Sequence, residues 1–214
     1  MNEERNILCF GDSNTWGTDP AGGPRFDRKT RWPCILQNEL GAGYHVVEAG
    51  LCGRTTVWDD PIEGHKNGLQ QLIPILKSHE PLDLVIIMLG TNDLKNRFSV
   101  STLDVANSVW RLVQAVRSCC YPPTEGVPEV LVVCPPPFAP LEPTPFKEMF
   151  VGGEEKSHQL FEAFQAVSKQ RDFQLFNAAE VLKSSPLDGI HFEPQEHVKL
   201  GRALAAEVRK LIRG

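Results

Sequence analysis

The chain has 214 residues, 41% of them hydrophobic and 23% charged, with a formal net charge of −5 at pH 7. That balance excludes disorder and fibrous repeats and suits a chain that buries one substantial core. The densest basic stretch is the mixed run Arg25-Phe26-Asp27-Arg28-Lys29-Thr30-Arg31, which with the negative net charge argues against a nucleic-acid partner; it reads as a solvated loop, with the rim of a site entrance as the alternative.

The polar start, Met1-Asn2-Glu3-Glu4-Arg5-Asn6, is followed by an apolar run at 7–10. This run is too short for a signal-peptide core or a membrane span, so a cytoplasmic protein without a membrane partner is expected. The run itself predicts a first buried strand, and Gly11-Asp12-Ser13-Asn14-Thr15-Trp16-Gly17 follows it directly. A helix is predicted over 32–40, a strand over 45–48 with Leu51-Cys52-Gly53-Arg54 after it, a helix over 69–79, and a strand over 82–89 closed by Gly90-Thr91-Asn92-Asp93. Further along come a helix over 102–118 and a strand over 130–134. Residues 135–145 then hold six of the 17 prolines, a stiff extended excursion that reads either as a rigid surface connection or, through Phe138, Leu141 and adjoining Phe146, as a pocket wall or a subunit contact. A helix over 154–170, a strand over 173–176, the stretch Asp188-Gly189-Ile190-His191, and a final helix over 194–212 complete the chain.

Strands alternating with helices predict a doubly wound parallel sheet covered on both faces, in one domain. Such sheets gather their chemistry in loops beyond the carboxyl ends of the strands. Ser13 follows the first strand, Gly53 the second, Asn92 the third, and Asp188 with His191 the fifth, so all are expected on one rim.

A serine hydroxyl needs a base to become a nucleophile, and histidine is the usual one near neutral pH. Ser13 and His191 fit these roles, and Asp188, three positions before His191, fits the group that fixes its tautomer. The amides of Ser13 and Gly53 and the side chain of Asn92 are candidate donors to an oxyanion. The spacings of a dinucleotide turn and of a P-loop are both absent, which leaves a phosphate cradle as the minor reading.

His158 with Glu162 and Glu193 with His197 stand four apart on predicted helices without further ligands. Neither a metal nor a cofactor is therefore predicted, and surface or cap roles are expected for these histidines and for His45, His65 and His79. Cys9, Cys34, Cys52, Cys119, Cys120 and Cys134 form no C-x-x-C pair and are expected as reduced thiols.

The blocks Leu8-Cys9-Phe10-Gly11-Asp12-Ser13, Gly50-Leu51-Cys52-Gly53-Arg54-Thr55-Thr56, Ile87-Met88-Leu89-Gly90-Thr91-Asn92-Asp93 and Asp188-Gly189-Ile190-His191-Phe192 together resemble the GDSL, or SGNH, hydrolase superfamily, in its bacterial arylesterase and acyltransferase branch. The resemblance implies a flavodoxin-like three-layer α/β/α fold with a five-stranded parallel sheet, spanning 1–214 as a single hydrolase domain. It implies hydrolysis of short-chain acyl esters such as acetates through an acyl-enzyme on Ser13, with water or an alcohol as acceptor. It also implies a homo-oligomer, an octamer in that branch, and places Trp16 and Phe192 near the acyl pocket. One departure stands beside the serine, where Asn14 replaces the leucine of the GDSL motif. Two alternatives remain at this point, a carbohydrate acetyl esterase and a flavodoxin-like binding module without catalysis.

Overall fold

The computed structural model describes residues 4–119 and 126–212. Cys120 and the first three residues of the polar start lie outside them. Five strands, β1 (Arg5–Gly11), β2 (Tyr44–Gly50), β3 (Leu84–Met88), β4 (Glu129–Cys134) and β5 (Gln174–Asn177), pair in parallel in the order β2-β1-β3-β4-β5. The helices are α1 (Ser13–Trp16), α2 (Trp32–Leu40), α3 (Gly68–Ser78), α4 (Thr102–Arg117), α5 (Gly153–Arg171) and α6 (Pro194–Leu211).

The central strands β1, β3 and β4 are apolar over 7–10, 84–88 and 130–134 because both faces are covered there, and the period of two decides which cover each side chain meets. Leu8, Phe10, Val85, Ile87, Val130 and Val132 pack toward Leu72 of α3, Leu112 of α4 and Phe164 of α5. Their neighbours Ile7, Cys9, Leu84, Ile86, Leu131 and Val133 pack toward Trp32 and Leu36 of α2 and Leu200 and Leu204 of α6. The result is the expected three-layer α/β/α fold. Because β1 has β2 on one side and β3 on the other, the strand order reverses there, and a crevice opens beyond its carboxyl end.

Strand ends differ from the expected ones where burial and pairing part company. Leu82 and Leu89 are buried but lie outside β3, since apolarity marks burial and not ladder hydrogen bonds. Phe173 precedes β5 and stacks on Trp110 of α4, ring centroids 6.0 Å apart.

Two further expectations are corrected. Arg31, read as part of a solvated loop, is buried; its guanidinium donates to both oxygens of Glu48, at 2.7 and 2.8 Å. His197 is fully buried, not a surface residue. It lies on the inner stripe of α6, with ring centroids 5.5 Å from Phe26 and 5.6 Å from Phe192. Its Nδ1 accepts the amide hydrogen of Trp32 at 3.4 Å. Burial above all, helped by nearby His191 and Arg31, pulls its pKa down to about 3, so it stays neutral. No helix among the described residues is long and apolar enough to cross a membrane.

Candidate active site

The nucleophile candidate is positioned by a sharp turn. At the end of β1, a Cβ on Gly11 would lie 2.0 Å from the Thr15 hydroxyl oxygen, so glycine is what lets α1 begin at once. Asp12 caps that helix by accepting the amide of Asn14 at 3.0 Å, which makes Ser13 its first residue. Gly50, at the end of β2, lets the same helix approach: a Cβ there would stand 2.2 Å from the backbone nitrogen of Trp16.

The other half of the site comes from the segment before α6. Asp188 Oδ1 accepts the backbone amides of Ile190 and His191, both at 2.9 Å, while Oδ2 meets His191 Nδ1 at 2.5 Å. Burial pushes the Asp188 carboxyl up, but the bond from His191, its charge and the two amides outweigh this and hold the pKa below the ordinary value. His191 Nε2 then lies 2.9 Å from Ser13 Oγ. With Nδ1–H donating to the carboxylate, Nε2 is the acceptor for the serine proton.

Asn14, the departure from the family pattern, ties the two halves together. Its Nδ2 donates to the carbonyl of Ile190 at 3.4 Å, a contact leucine could not make. The proline-rich segment braces the same loop, with Pro140, Glu142, Pro143 and Pro145 exposed on its outer side. Phe138 and Leu141 are buried, the Ala139 amide donates to Gly189 O at 2.9 Å, and Ser184 donates to Pro137 O at 2.9 Å. Phe146 belongs to the site wall, its ring centroid 5.9 Å from that of His191.

Hydrogen-bond donors surround the serine. Among the described residues, the amides of Ser13 and Gly53 have no protein acceptor. Asn92 spends one amide hydrogen on Arg54 O at 3.1 Å, leaving the second for the cavity it lines. Buried charges hold these loops. Arg54 donates to the carbonyl of Gly11 at 2.6 Å and also to that of Ala49, linking the ends of β1 and β2, and burial lowers its pKa to about 10. Asp93 accepts from the amide and hydroxyl of Thr56, linking the loops after β2 and β3. Burial raises Asp12 and Asp93 to about 6 each.

Ser13, Gly53, Asn92 and His191 line one cavity of about 340 Å³. Trp16 is in its wall, with the guanidinium of Arg25 4.9 Å above the ring. Phe192 is not: it is fully buried beneath the loop, in the core between the sheet and α6. Phe150, Ile190, Glu63 and Lys95 also line the cavity, and the sequence did not single them out. A larger groove of about 1160 Å³ runs past Arg28, Asn38 and Val47; its thiol, Cys34, bonds Glu48, and burial together with that carboxylate pushes its pKa up to about 11, so it stays a thiol.

Comparison with known proteins gives the family. Residues 9–197 match the model of the GDSL-like lipase/acylhydrolase family. The aryl esterase of M. smegmatis is similar over 97% of this chain and 100% of its own, with 43% identity and a TM-score of 0.92. Est24, a carbohydrate acetylesterase from Sinorhizobium meliloti, is similar over 98% and 100%, with 42% identity and a TM-score of 0.92. A lipase/acylhydrolase from Enterococcus faecalis, 17% identical over 96% of each chain with a TM-score of 0.68, shares the fold. None of the curated protein sequences matches. With the family's model matched across most of its length, the chain belongs to the GDSL-like lipase/acylhydrolase family.

Proposed function

We propose that this esterase hydrolyses short-chain acyl esters, acetates among them, through an acyl-enzyme on Ser13, and that an alcohol replaces water as acceptor when one occupies the cavity. As Oγ attacks the ester carbonyl, His191 Nε2 takes its proton, and Asp188 stabilises the imidazolium that forms. The carbonyl oxygen, now negative, receives hydrogen bonds from the amides of Ser13 and Gly53 and from Asn92. Collapse expels the alcohol, which leaves with the proton from His191; water or a second alcohol then repeats the steps in reverse.

The observation that carries this reading is the continuous contact from Ser13 through His191 to Asp188, at 2.9 and 2.5 Å. A cavity of about 340 Å³ supports small substrates. Replacing Ser13 by Ala is expected to abolish turnover of p-nitrophenyl acetate and labelling by a fluorophosphonate, with the unfolding transition unchanged. Retained turnover overturns the proposal, and an unlabelled wild-type serine supports a binding module instead.

A second reading, deacetylation of carbohydrates, is supported by the 42% identity to a carbohydrate acetylesterase and by the charged groups in the otherwise apolar wall. Comparing acetylated xylose with phenyl acetate separates the two.

A further inference from the structure

Glu63 and Lys95 of the cavity wall belong to a cluster of two carboxylates and two cations. Lys95 Nζ donates to Glu63 Oε1 and lies 3.6 Å from Asp60 Oδ2. Arg97 donates to Asp60 Oδ1 at 3.1 Å and to Glu63 Oε1 at 3.4 Å. The side chains of Lys95 and Asp60 are 3% and 0% exposed, whereas that of Glu63 is 30% exposed and lines the cavity. Lys95 is itself tied to the candidate oxyanion loop, its amide donating to Asn92 O at 3.2 Å.

This arrangement leaves one oxygen of Glu63 unused. Both cations bond Oε1, and among the described residues no donor reaches Oε2. Oε2 instead lies against Gly53, where an added Cβ would come within 2.3 Å of it. A partly desolvated carboxylate oxygen, held in place through its twin, is a strong hydrogen-bond acceptor with nothing to accept. The four charges of the cluster cancel, and the Lys66 side chain passes close to the same Gly53 position, so nothing here favours a cationic substrate. A neutral O–H donor is what it fits. In an acetyl ester the methyl of the acyl group carries no donor, and any hydroxyl belongs to the alcohol portion.

We propose that Glu63 Oε2 is a subsite for a hydroxyl on the alcohol portion of the ester, selecting acetates of polyhydroxy alcohols such as glycerol and sugars. This rests on the esterase reading above and adds a specificity-determining residue to it.

The test compares kcat/KM for 2,3-dihydroxypropyl acetate with that for propyl acetate, in the wild type and in Glu63→Ala. The ratio of the two esters is expected to fall about tenfold in the variant, the worth of one partly exposed charge-assisted hydrogen bond. A fall in the same direction is expected in Glu63→Gln, which keeps the shape of the wall if the alanine variant does not fold. An unchanged ratio in a folded variant, with both esters losing rate equally, assigns Glu63 to loop anchoring and overturns the subsite. Propyl acetate turnover with an unchanged ratio overturns the subsite alone, whereas a wild type that hydrolyses neither these esters nor p-nitrophenyl acetate overturns both readings.

Discussion

Replacing Asp188 by Asn tests how far the loop geometry dictates the chemistry. In the wild type, Oδ1 accepts two backbone amides at 2.9 Å each and Oδ2 faces His191 Nδ1 at 2.5 Å. An asparagine must keep its one oxygen toward the two amides, because turning it round would aim its NH2 group at two buried donors. Leaving those donors unsatisfied costs about 1–3 kcal/mol each, about 2–6 kcal/mol together. The asparagine amide therefore donates to Nδ1, the imidazole carries its proton on Nε2, and Nε2 can no longer accept from Ser13. Regaining the working tautomer means populating the flipped amide, so turnover is expected to fall about 10²- to 10⁴-fold, with the upper end matching the loss seen for this exchange in a serine protease. The loop itself keeps its hydrogen bonds. Steady-state hydrolysis of p-nitrophenyl acetate measures the first effect and thermal unfolding the second. A loss below about tenfold, in a variant as stable as the wild type, would refute the argument that these amides set the tautomer.

Replacing Asn92 by Ala removes one oxyanion donor and is expected to lower kcat about 10²- to 10³-fold; a near-normal kcat on p-nitrophenyl acetate removes Asn92 from the site. Replacing Asp93 by Asn tests the buried carboxylate. Its pKa is raised from the ordinary 3.8 to about 6 by burial, so the folded state holds the proton more tightly than the unfolded one. That contribution to stability is complete below the unfolded value and is lost as pH rises through about 6. The amide has no such loss, so from about pH 3 to about pH 7 its stability should rise relative to the wild type by about 3 kcal/mol, as read from urea unfolding at each pH; a flat difference refutes it. In Gly50→Ala the new methyl would meet backbone atoms of α1 at 2.2 and 2.7 Å. A loss of about 3 kcal/mol or more is expected by chemical denaturation, and wild-type stability would show that the approach is not tight.

The sheet was legible because each strand is a short apolar run between helical patterns, and the residues at its rim because their chemistry is distinctive. Ser13, Gly53, Asn92, Asp188 and His191 were each identifiable by type and by position after a strand. Side chains without such a signature were misplaced. Phe192 was placed at the pocket by the family resemblance, although neighbouring side chains here diverge, His191 to the cavity and Phe192 to the core. His197 was judged by its spacing from Glu193. The better signal was the buried stripe of α6, Leu200, Leu204 and Val208, which extends back to position 197 at helical spacing. Glu63 and Lys95 were illegible for another reason: their pairing joins loops 32 residues apart, and nothing local marks either as buried or as part of a wall.

The departure at Asn14 bears on how the two ends of the chain meet. Ser13 and His191 are 178 residues apart, carried by separate loops on a shared sheet, and a contact of 2.9 Å between them requires both loops to be fixed. On the serine side this is done by Gly11, Gly50 and the Arg54 bonds to the strand ends; on the histidine side by Asp188 and the Ala139 and Ser184 bonds. Those sets fix each loop to its own surroundings, but not to the other. The Asn14 bond to Ile190 O crosses the gap one residue from each member of the pair, so it sets their separation directly. The motif leucine would pack there without that directional tie. The polar substitution is therefore matched to the site's geometry through its Nδ2 alone, since Oδ1 is buried without a protein partner among the described residues: the bond to the histidine loop is gained against the cost of that oxygen.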